Sequence, residues 1–219
     1  MTDNNSGRPS RTVSRRVFAG ELNDSSHTFT ESDDERAPNF LLLPTGERAN
    51  RVFVVGTLTE TEDVGDGSEY WQGRVVDPAG DTFFVYAGQY QADAAATLRT
   101  LEPPAYVAVV GKTRTYEKDD GDINVSLRPE SISVVDAGMR DRWVVETASE
   151  TFSRISAFED NESKYASMAE EHHGSDLSEY REAAIEALEA IEDGVGAAGD
   201  AEAATEPDAD AGHETDATA

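Results

Sequence analysis

Aromatic and basic side chains crowd into one short stretch of this sequence. Residues 70–86 read YWQGRVVDPAGDTFFVY, so two apolar runs flank a segment, 77–81, that is rich in turn-forming residues. The pattern predicts a β-hairpin. Rings exposed beside a cation can stack on nucleobases, whereas buried rings only build a core. The candidate ligand-binding residues of the hairpin are Trp71, Arg74, Phe83, Phe84 and Tyr86.

Side-chain alternation divides these candidates between the two faces of the hairpin. Of two adjacent rings such as Phe83 and Phe84, one must point inward. A hairpin that pairs odd with odd residues would place Trp71, Val75 and Phe83 in the core and would turn the other candidates outward. A one-residue bulge would reverse that assignment for one strand.

Two later strand-like runs, 105–117 and 123–135, carry further basic and aromatic residues. Lys112, Arg114 and Tyr116 share one parity on the first run, and Arg128 lies on the second. The shared parity favours a common ligand-binding face, and a row of solvated cations is the simpler alternative.

The charge of the chain indicates the solvent in which it works. It carries 45 acidic against 18 basic residues, a net charge of -27, and only three of the bases are lysines. An acidic surface with so little lysine is typical of halophilic proteins that work in molar salt. Counterion release contributes little to nucleic-acid binding at that ionic strength, so a binder there must depend on base stacking.

Catalysis and metal binding find little support in the sequence. There is no cysteine, and the four histidines show no zinc-ligand spacing. The acidic run 119–122 lacks the ligand order of a calcium loop, and no nucleotide-binding or nucleophile motif is present. We therefore expect a protein that is not an enzyme and has neither metal nor cofactor. No apolar run approaches a membrane span and no signal peptide is evident, which predicts a cytoplasmic protein.

The order of the predicted elements defines a fold class. Strands at 51–60, 70–77 and 81–87 precede a short helix at 89–100, and the strands at 105–117 and 123–135 follow it. Five strands with a helix between the third and fourth are the arrangement of an OB-fold barrel, here predicted for 51–136 in a mainly β chain. Gly56 lies where the first strand must bend. OB folds bind single strands across strands two and three.

The segments around the barrel complete the predicted organisation. Residues 1–12 and the acidic tail 194–219 are predicted to be disordered, and 13–50 to pack on the barrel as an N-terminal extension. Residues 138–158 form an amphipathic helix with an apolar stripe, 159–175 form a linker, and 176–193 form a second helix. The stripe includes Trp143, Val144, Phe152 and Ile155.

Two runs of the sequence resemble a known family. ESDDERAPNFLLLPTGERANRVFVVGTLTE (31–60) and YWQGRVVDPAGDTFFVYAGQYQADAAATL (70–98) closely resemble the haloarchaeal OB-fold proteins associated with replication protein A, the RPA family proteins. The resemblance covers about residues 12–158 and excludes the acidic tail. It implies a subunit that works with a larger RPA subunit on single-stranded DNA in replication, repair and recombination.

The resemblance also suggests a role for the amphipathic helix. A helix after the barrel joins subunits in RPA complexes, so its apolar stripe is predicted to face a partner. Packing of that helix on the chain's own barrel is the alternative. Two other functions remain open at this point: an assembly subunit with little DNA contact of its own, and an RNA-binding module.

Overall fold

The computed structural model describes residues 13–34, 37–118, 121 and 123–203, with side chains up to residue 192. The predicted disorder of 1–12 and of the last 16 residues of the tail concerns positions outside this range. Nine strands and five helices are described. The five that build the barrel are β5 (Arg51–Asp63), β6 (Trp71–Val76), β7 (Thr82–Ala87), β8 (Ala105–Glu117) and β9 (Ile123–Val134).

These five strands close on themselves in the order β5-β6-β7-β9-β8-β5. All neighbours are antiparallel except β7 and β9, which pair in parallel at Val85 and Leu127. The 3-10 turn Gln89–Gln91 and helix α2 (Ala92–Thr100) lie between the third and fourth barrel strands and cover the barrel with Leu98. This order and the position of the helix confirm the OB fold.

Gly56 stands where β5 passes from one neighbour to the other. The strand pairs with β8 over 51–58 and with β6 over 57–63, with a register shift between Leu58 and Glu60. A Cβ on Gly56 would lie 2.5 Å from the backbone oxygen of Val76. The predicted glycine is therefore required because two strand backbones approach each other closely.

The N-terminal extension packs on the barrel and then forms a small sheet of its own. Strand β1 (Arg15–Arg16) pairs in parallel with β5, and helix α1 (Ala19–Asp24) follows it. Val17, Phe18 and Leu22 are buried in the same core as the barrel residues. The next three strands, β2 (Thr28–Thr30), β3 (Asn39–Leu42) and β4 (Arg48–Ala49), form an antiparallel three-stranded sheet.

Helix α3 (Ala137–Glu159) begins with an N-cap at Asp136, whose side chain accepts a hydrogen bond from the Met139 N–H at 2.8 Å. Its apolar stripe packs on the chain itself. The indole N–H of Trp143 donates to the Phe53 carbonyl at 3.0 Å, and the ring meets Phe18 edge to face.

The prediction that this stripe faces a partner is wrong for its main residues. Trp143, Val144 and Ile155 are at most 1% exposed, and Phe152 is half-buried against the main core. The physical reason is the N-terminal extension, which adds Phe18 and Leu42 as apolar surface beside the barrel. The helix is covered by these residues within its own chain.

Two helices follow α3. The segment 159–175, predicted as a linker, contains α4 (Ala166–His173), which buries Ala166 and Ala169 with Ile155 and Leu42 in a second small core. Helix α5 (Ser178–Ala203) starts two residues later than predicted and continues ten residues beyond 193. None of the helices that the structure describes is long and apolar enough to cross a membrane.

A buried ion pair ties the extension to α3. Arg154 Nη2 donates to Glu21 Oε2 at 2.6 Å, and Arg154 Nε donates to the hydroxyl of Thr45 at 3.0 Å. The same hydroxyl donates to Glu21 Oε1 at 2.5 Å. Glu21 and Arg154 are 1% and 8% exposed. One charge-assisted network therefore joins α1, the loop after β3 and α3.

Asp77, in the turn between β6 and β7, is a second buried carboxylate and carries a pH prediction. It accepts hydrogen bonds from the N–H groups of Ala19, Ala79 and Asp81, at 2.7 to 3.1 Å. Burial raises the pKa of Asp77 to about 6 in spite of these donors. The folded state therefore holds a proton that the unfolded chain has lost between pH 3.8 and about 6.

This proton makes the stability contribution of Asp77 fall as the pH rises through that window, by up to about 1.4 kcal/mol per pH unit. We expect Asp77→Asn to remove the slope, because the amide does not titrate. Urea unfolding of both proteins from pH 4 to 7 gives the difference in their free energies of unfolding. A difference that stays constant with pH would contradict the assignment.

Candidate nucleic-acid interface

The outer face of β6 and β7 presents polar and aromatic side chains in register. Arg74 lies opposite Phe84, and Gln72 lies opposite Tyr86. The register pairs odd residues with odd ones, as one of the two sequence interpretations required. Arg74, Phe84 and Tyr86 are consequently turned away from the core and partly exposed.

Two predicted site residues lie on the opposite side of this hairpin. Phe83 is 1% exposed within the barrel core, so it is unable to stack on a ligand. Trp71 packs against the same core at the end of β6. Both are odd-numbered, and side-chain alternation places them inside with Val75. The prediction that Phe83 and Trp71 bind DNA is corrected on this ground.

Tyr70 and Tyr86 form a stacked pair at the edge of this face. Their ring centroids are 5.7 Å apart at an interplanar angle of 19°. Gln72 Nε2 donates to the Tyr86 hydroxyl at 2.6 Å and so fixes the orientation of that ring. Tyr70 is 44% exposed, which leaves ring surface free for a further planar group.

Strands β8 and β9 continue the face across the parallel pairing with β7. Lys112 lies opposite Arg128, Arg114 opposite Ser126, and Tyr116 opposite Asn124. Val125 and Leu127, the alternate residues of β9, are buried in the core. The shared parity of Lys112, Arg114 and Tyr116 does place them on one face, and Arg128 joins them there.

A groove of about 570 Å³ separates the hairpin from the β8–β9 arm. Among the described residues that line it, Arg114 is the charged one and the others are neutral. Four rings lie in its walls: Tyr70, Phe84, Tyr86 and Tyr116. The groove continues past Tyr70 to the exposed ring of Tyr90, where the Arg128 guanidinium lies 5.9 Å from the ring centroid.

The loop between β5 and β6 is built to hold Tyr70. Asp63 Oδ1 accepts hydrogen bonds from the N–H groups of Gly65 and Tyr70, each at 3.0 Å. These N–H donors lower the pKa of the Asp63 carboxyl. Gly88 lies under the ring, because a Cβ there would come within 2.9 Å of Tyr70 Cδ2. The stacked pair thus depends on the Asp63 carboxylate and on the absence of a Cβ at Gly88.

The cations of this face differ from the others in their partners. Of the 15 lysines and arginines that the structure describes, nine form ion pairs with the chain's own carboxylates. Five of the six without such a pair belong to the β6 and β8–β9 part of the barrel. These are Arg74, Lys112, Arg114, Lys118 and Arg128, and the sixth, Arg142, is on α3.

Hydroxyl groups surround Arg74, whereas near Tyr90 the carboxylates of Asp93 and Glu130 line the groove together with Lys112, Arg114 and Arg128. The Arg74 guanidinium donates to the hydroxyls of Thr59 and Thr82, at 3.3 and 3.2 Å. Two carboxylates near the groove form ion pairs with arginines outside it, Glu69 with Arg99 and Glu130 with Arg51. In a chain of net charge -27, this arrangement leaves positive charge available to an external anion.

Sequence reasoning missed two rings of the interface, Tyr70 and Tyr90. Tyr70 stood in the aromatic run but falls in the loop before β6, where strand parity makes no assignment. Tyr90 is 80% exposed between Gln89 and Gln91 at the start of the helical segment. A large ring flanked by two glutamines at the start of a helical segment is the signal that would have identified it.

We expect Asp63→Ala to weaken ligand binding at this face by a few-fold while leaving the free energy of unfolding nearly unchanged. The side chain is exposed and its hydrogen bonds hold the loop, so its loss frees Tyr70 from Tyr86 without opening the core. Titration with a labelled oligonucleotide and urea unfolding measure the two effects. Unchanged binding would show that the stacked pair is not needed.

The described residues contain no group of three or more histidine or acidic side chains placed to hold a metal ion. The stacked histidines His27 and His172, with ring centroids 3.6 Å apart, lie on the loop before β2 and on α4. They belong to the packing of α4 on the N-terminal extension.

Comparison with known proteins gives structural likenesses alone. No protein-family model matches the sequence, and no curated protein is significantly similar to it. Among solved structures, the second single-stranded DNA-binding protein (SSBb) of Mycobacterium smegmatis is 20% identical with a TM-score of 0.34, over 39% of this chain and 86% of that one. The mitochondrial single-stranded DNA-binding protein Rim1 of S. cerevisiae is 17% identical with a TM-score of 0.32, over 40% and 94%.

An OBody, AM3L15, solved bound to hen egg-white lysozyme, is 14% identical with a TM-score of 0.38, over 57% of this chain and 93% of that one. These scores are low, and the proteins bind different ligands. The OB class therefore rests on the strand order of this barrel, and the choice of ligand rests on its surface.

Proposed function

We propose that this chain is a single-stranded DNA-binding OB-fold protein that holds DNA across β6, β7 and the β8–β9 arm. Binding is non-covalent, with bases stacked on Phe84, Tyr86 and the Tyr70 ring, and with phosphates near Arg114 and Arg128. No catalytic step, metal or cofactor is part of the proposal.

The observation that carries this proposal is the separation of charges on the barrel. Nine described cations are neutralised by the chain's own carboxylates, and five of the six left unpaired belong to the β6 and β8–β9 part of the barrel, beside the rings of one face. A ligand with both flat apolar groups and negative charges satisfies both features, and a single nucleic-acid strand has this chemistry. Duplex DNA fits less well because its bases are already stacked and hidden from the rings.

The placement of the rings suits binding at high salt. Stacking contributes about 1–3 kcal/mol per base and involves no counterions, whereas phosphate contacts weaken steeply as salt rises. Four rings in one groove therefore supply affinity that a cationic surface alone loses in molar salt.

We further propose that the chain acts as a subunit of an archaeal RPA-like complex in replication, repair and recombination, beside a larger RPA subunit. The sequence resemblance supports this assignment. Because the apolar stripe of α3 is occupied by the chain's own core, the contact to the larger subunit must use another surface. Co-expression of the two chains followed by size-exclusion chromatography in 2–3 M KCl tests the pairing.

Competition among nucleic acids tests the ligand class. A fluorescent single-stranded DNA bound to the chain is challenged with unlabelled single-stranded DNA, RNA of the same sequence, and duplex DNA. Single-stranded DNA is expected to displace it at the lowest concentration and duplex at the highest. RNA as the better competitor would make the chain an RNA-binding module, and the absence of binding by the isolated chain would make it an assembly subunit.

A further inference from the structure

We propose that a longer single strand leaves the barrel groove across the edge of β8 and continues onto the N-terminal three-stranded sheet. This inference rests on the proposed function, and it concerns a surface outside the OB barrel. It assigns a nucleic-acid-binding role to the extension, which otherwise serves to cover the barrel.

A second groove, of about 370 Å³, lies between β8 and the extension. Asn39 and Asn50 are on its extension side, and Thr113 and Thr115 are on its barrel side. Strand β8 pairs with β5 only as far as Lys112, which lies opposite Arg51. Beyond that point β8 has no strand neighbour on this side among the described residues, and the groove follows its open edge.

The two grooves are continuous at Lys112 and Arg114. Arg114 lines the central barrel groove and also the second one, and Lys112 lines the barrel groove near Tyr90 as well as the second one. Neither cation forms an ion pair within the described part of the chain. A phosphate held at this edge can therefore be shared by both grooves.

The lining of the second groove matches a nucleic-acid backbone. Its described residues include amides, hydroxyls and two cations, and no carboxylate is among them. In a chain with 45 acidic residues, a groove without one is suited to an anionic ligand. Amide and hydroxyl groups commonly contact phosphate and sugar oxygens. An extended peptide along the strand edge is the competing occupant, but it has no need of the two cations.

The test measures the binding of short and long oligonucleotides to a variant whose second groove carries added negative charge and so repels phosphates. Asn39→Asp combined with Thr115→Asp places two carboxylates in it, at one exposed residue of the extension and one of β8. The matched control is Ser131→Asp with Ser133→Asp, which adds the same charge at exposed positions of β9 away from both grooves. Binding of oligo(dT) is measured by anisotropy in 2–3 M KCl.

For a strand of about 5 nucleotides, which the barrel groove accommodates, the groove variant should match the control. For a strand of about 15 nucleotides it should bind roughly tenfold or more weakly than the control. Equal affinity of the two proteins at every length would overturn the inference and leave the groove to an extended peptide. An equal loss at both lengths would also overturn it, because the charge would then be acting on the barrel site itself.

Thiol protection gives a second readout that does not depend on affinity. The chain has no cysteine, so an Asn39→Cys variant carries one thiol, and Ser133→Cys provides its control. A saturating 15-mer should slow maleimide modification of the first thiol and leave the second unchanged, whereas a 5-mer should slow neither. A thiol at 39 that reacts at the same rate with and without the 15-mer would overturn the inference.

Failure of the proposed function gives a different result from failure of this inference. Wild-type chain that binds neither length refutes the function and the inference together. Wild-type chain that binds both lengths, with the groove variant equal to its control, refutes the inference alone.

Discussion

Replacing both Phe84 and Tyr86 by alanine is expected to weaken single-stranded DNA binding by at least about thirtyfold. The two rings lie in the wall of the central groove, and each stacked base contributes about 1–3 kcal/mol. Loss of two such contacts removes about 2 kcal/mol or more, and 1.4 kcal/mol corresponds to tenfold in affinity. Anisotropy of a labelled oligonucleotide in 2–3 M KCl measures the change.

The fold should survive this double substitution because both rings lie on the outer face of the barrel, outside its core. A matched control, Val134→Ala with Val145→Ala, removes exposed apolar groups outside the groove and should leave binding unchanged. Circular dichroism of all three proteins verifies the fold. Binding by the Phe84→Ala/Tyr86→Ala protein that equals wild type would show that the hairpin rings are not a stacking surface.

The second large effect concerns stability. We expect Arg154→Met to lower the free energy of unfolding by about 3–5 kcal/mol, because it leaves the Glu21 carboxylate buried without its cation. The Thr45 hydroxyl alone is not able to compensate for that charge. Urea unfolding in 2–3 M KCl, followed by tryptophan emission, reports the change because Trp143 lies in the core beside the extension.

Two comparisons separate the buried charge from general loss of an arginine. Arg181→Met removes an exposed ion pair with Glu159 and should cost no more than about 1 kcal/mol. Adding Glu21→Met to Arg154→Met should recover part of the loss, since no unpaired charge then remains. An Arg154→Met protein within about 0.5 kcal/mol of wild type would refute the role given to the network.

The barrel was predictable because its signals are local. β-Branched and aromatic runs, the turn residues at 77–81 and the helix before Pro103 set the order of elements, and the observed bounds differ from the predicted ones by a few residues. Side-chain parity then assigned Arg74, Phe84 and Tyr86 to the outer face as soon as the hairpin register was known. The register itself depended on the turn, which a bulge would have shifted.

The packing of α3 was not predictable in the same way. An amphipathic stripe shows that a helix is covered, but it carries no information about what covers it. Here the covering residues come from positions more than a hundred residues away, such as Phe18 and Leu42, and they act through long-range contacts. The short helix α4 was missed because its buried positions, Ala166 and Ala169, are alanines in a polar segment.

The ion pairs were not predictable from the sequence for the same reason. Composition gave the excess of carboxylates, but the selective neutralisation of cations away from the groove depends on which side chains meet in space. For example, Arg51 on β5 forms an ion pair with Glu130 on β9. Which lysines and arginines form ion pairs and which do not identifies the interface, and this distinction is therefore a property of the fold.

A salt titration of DNA binding tests the central claim most directly. Anisotropy of a labelled single-stranded oligonucleotide is recorded from 0.5 to 3 M KCl, with tyrosine and tryptophan emission measured in parallel. Four unpaired cations on the face predict a slope of log K against log salt no steeper than about -3, from about 0.7 per phosphate contact. We expect binding that persists at 3 M with quenched emission, and the absence of binding across the range, or binding without quenching, would contradict the account.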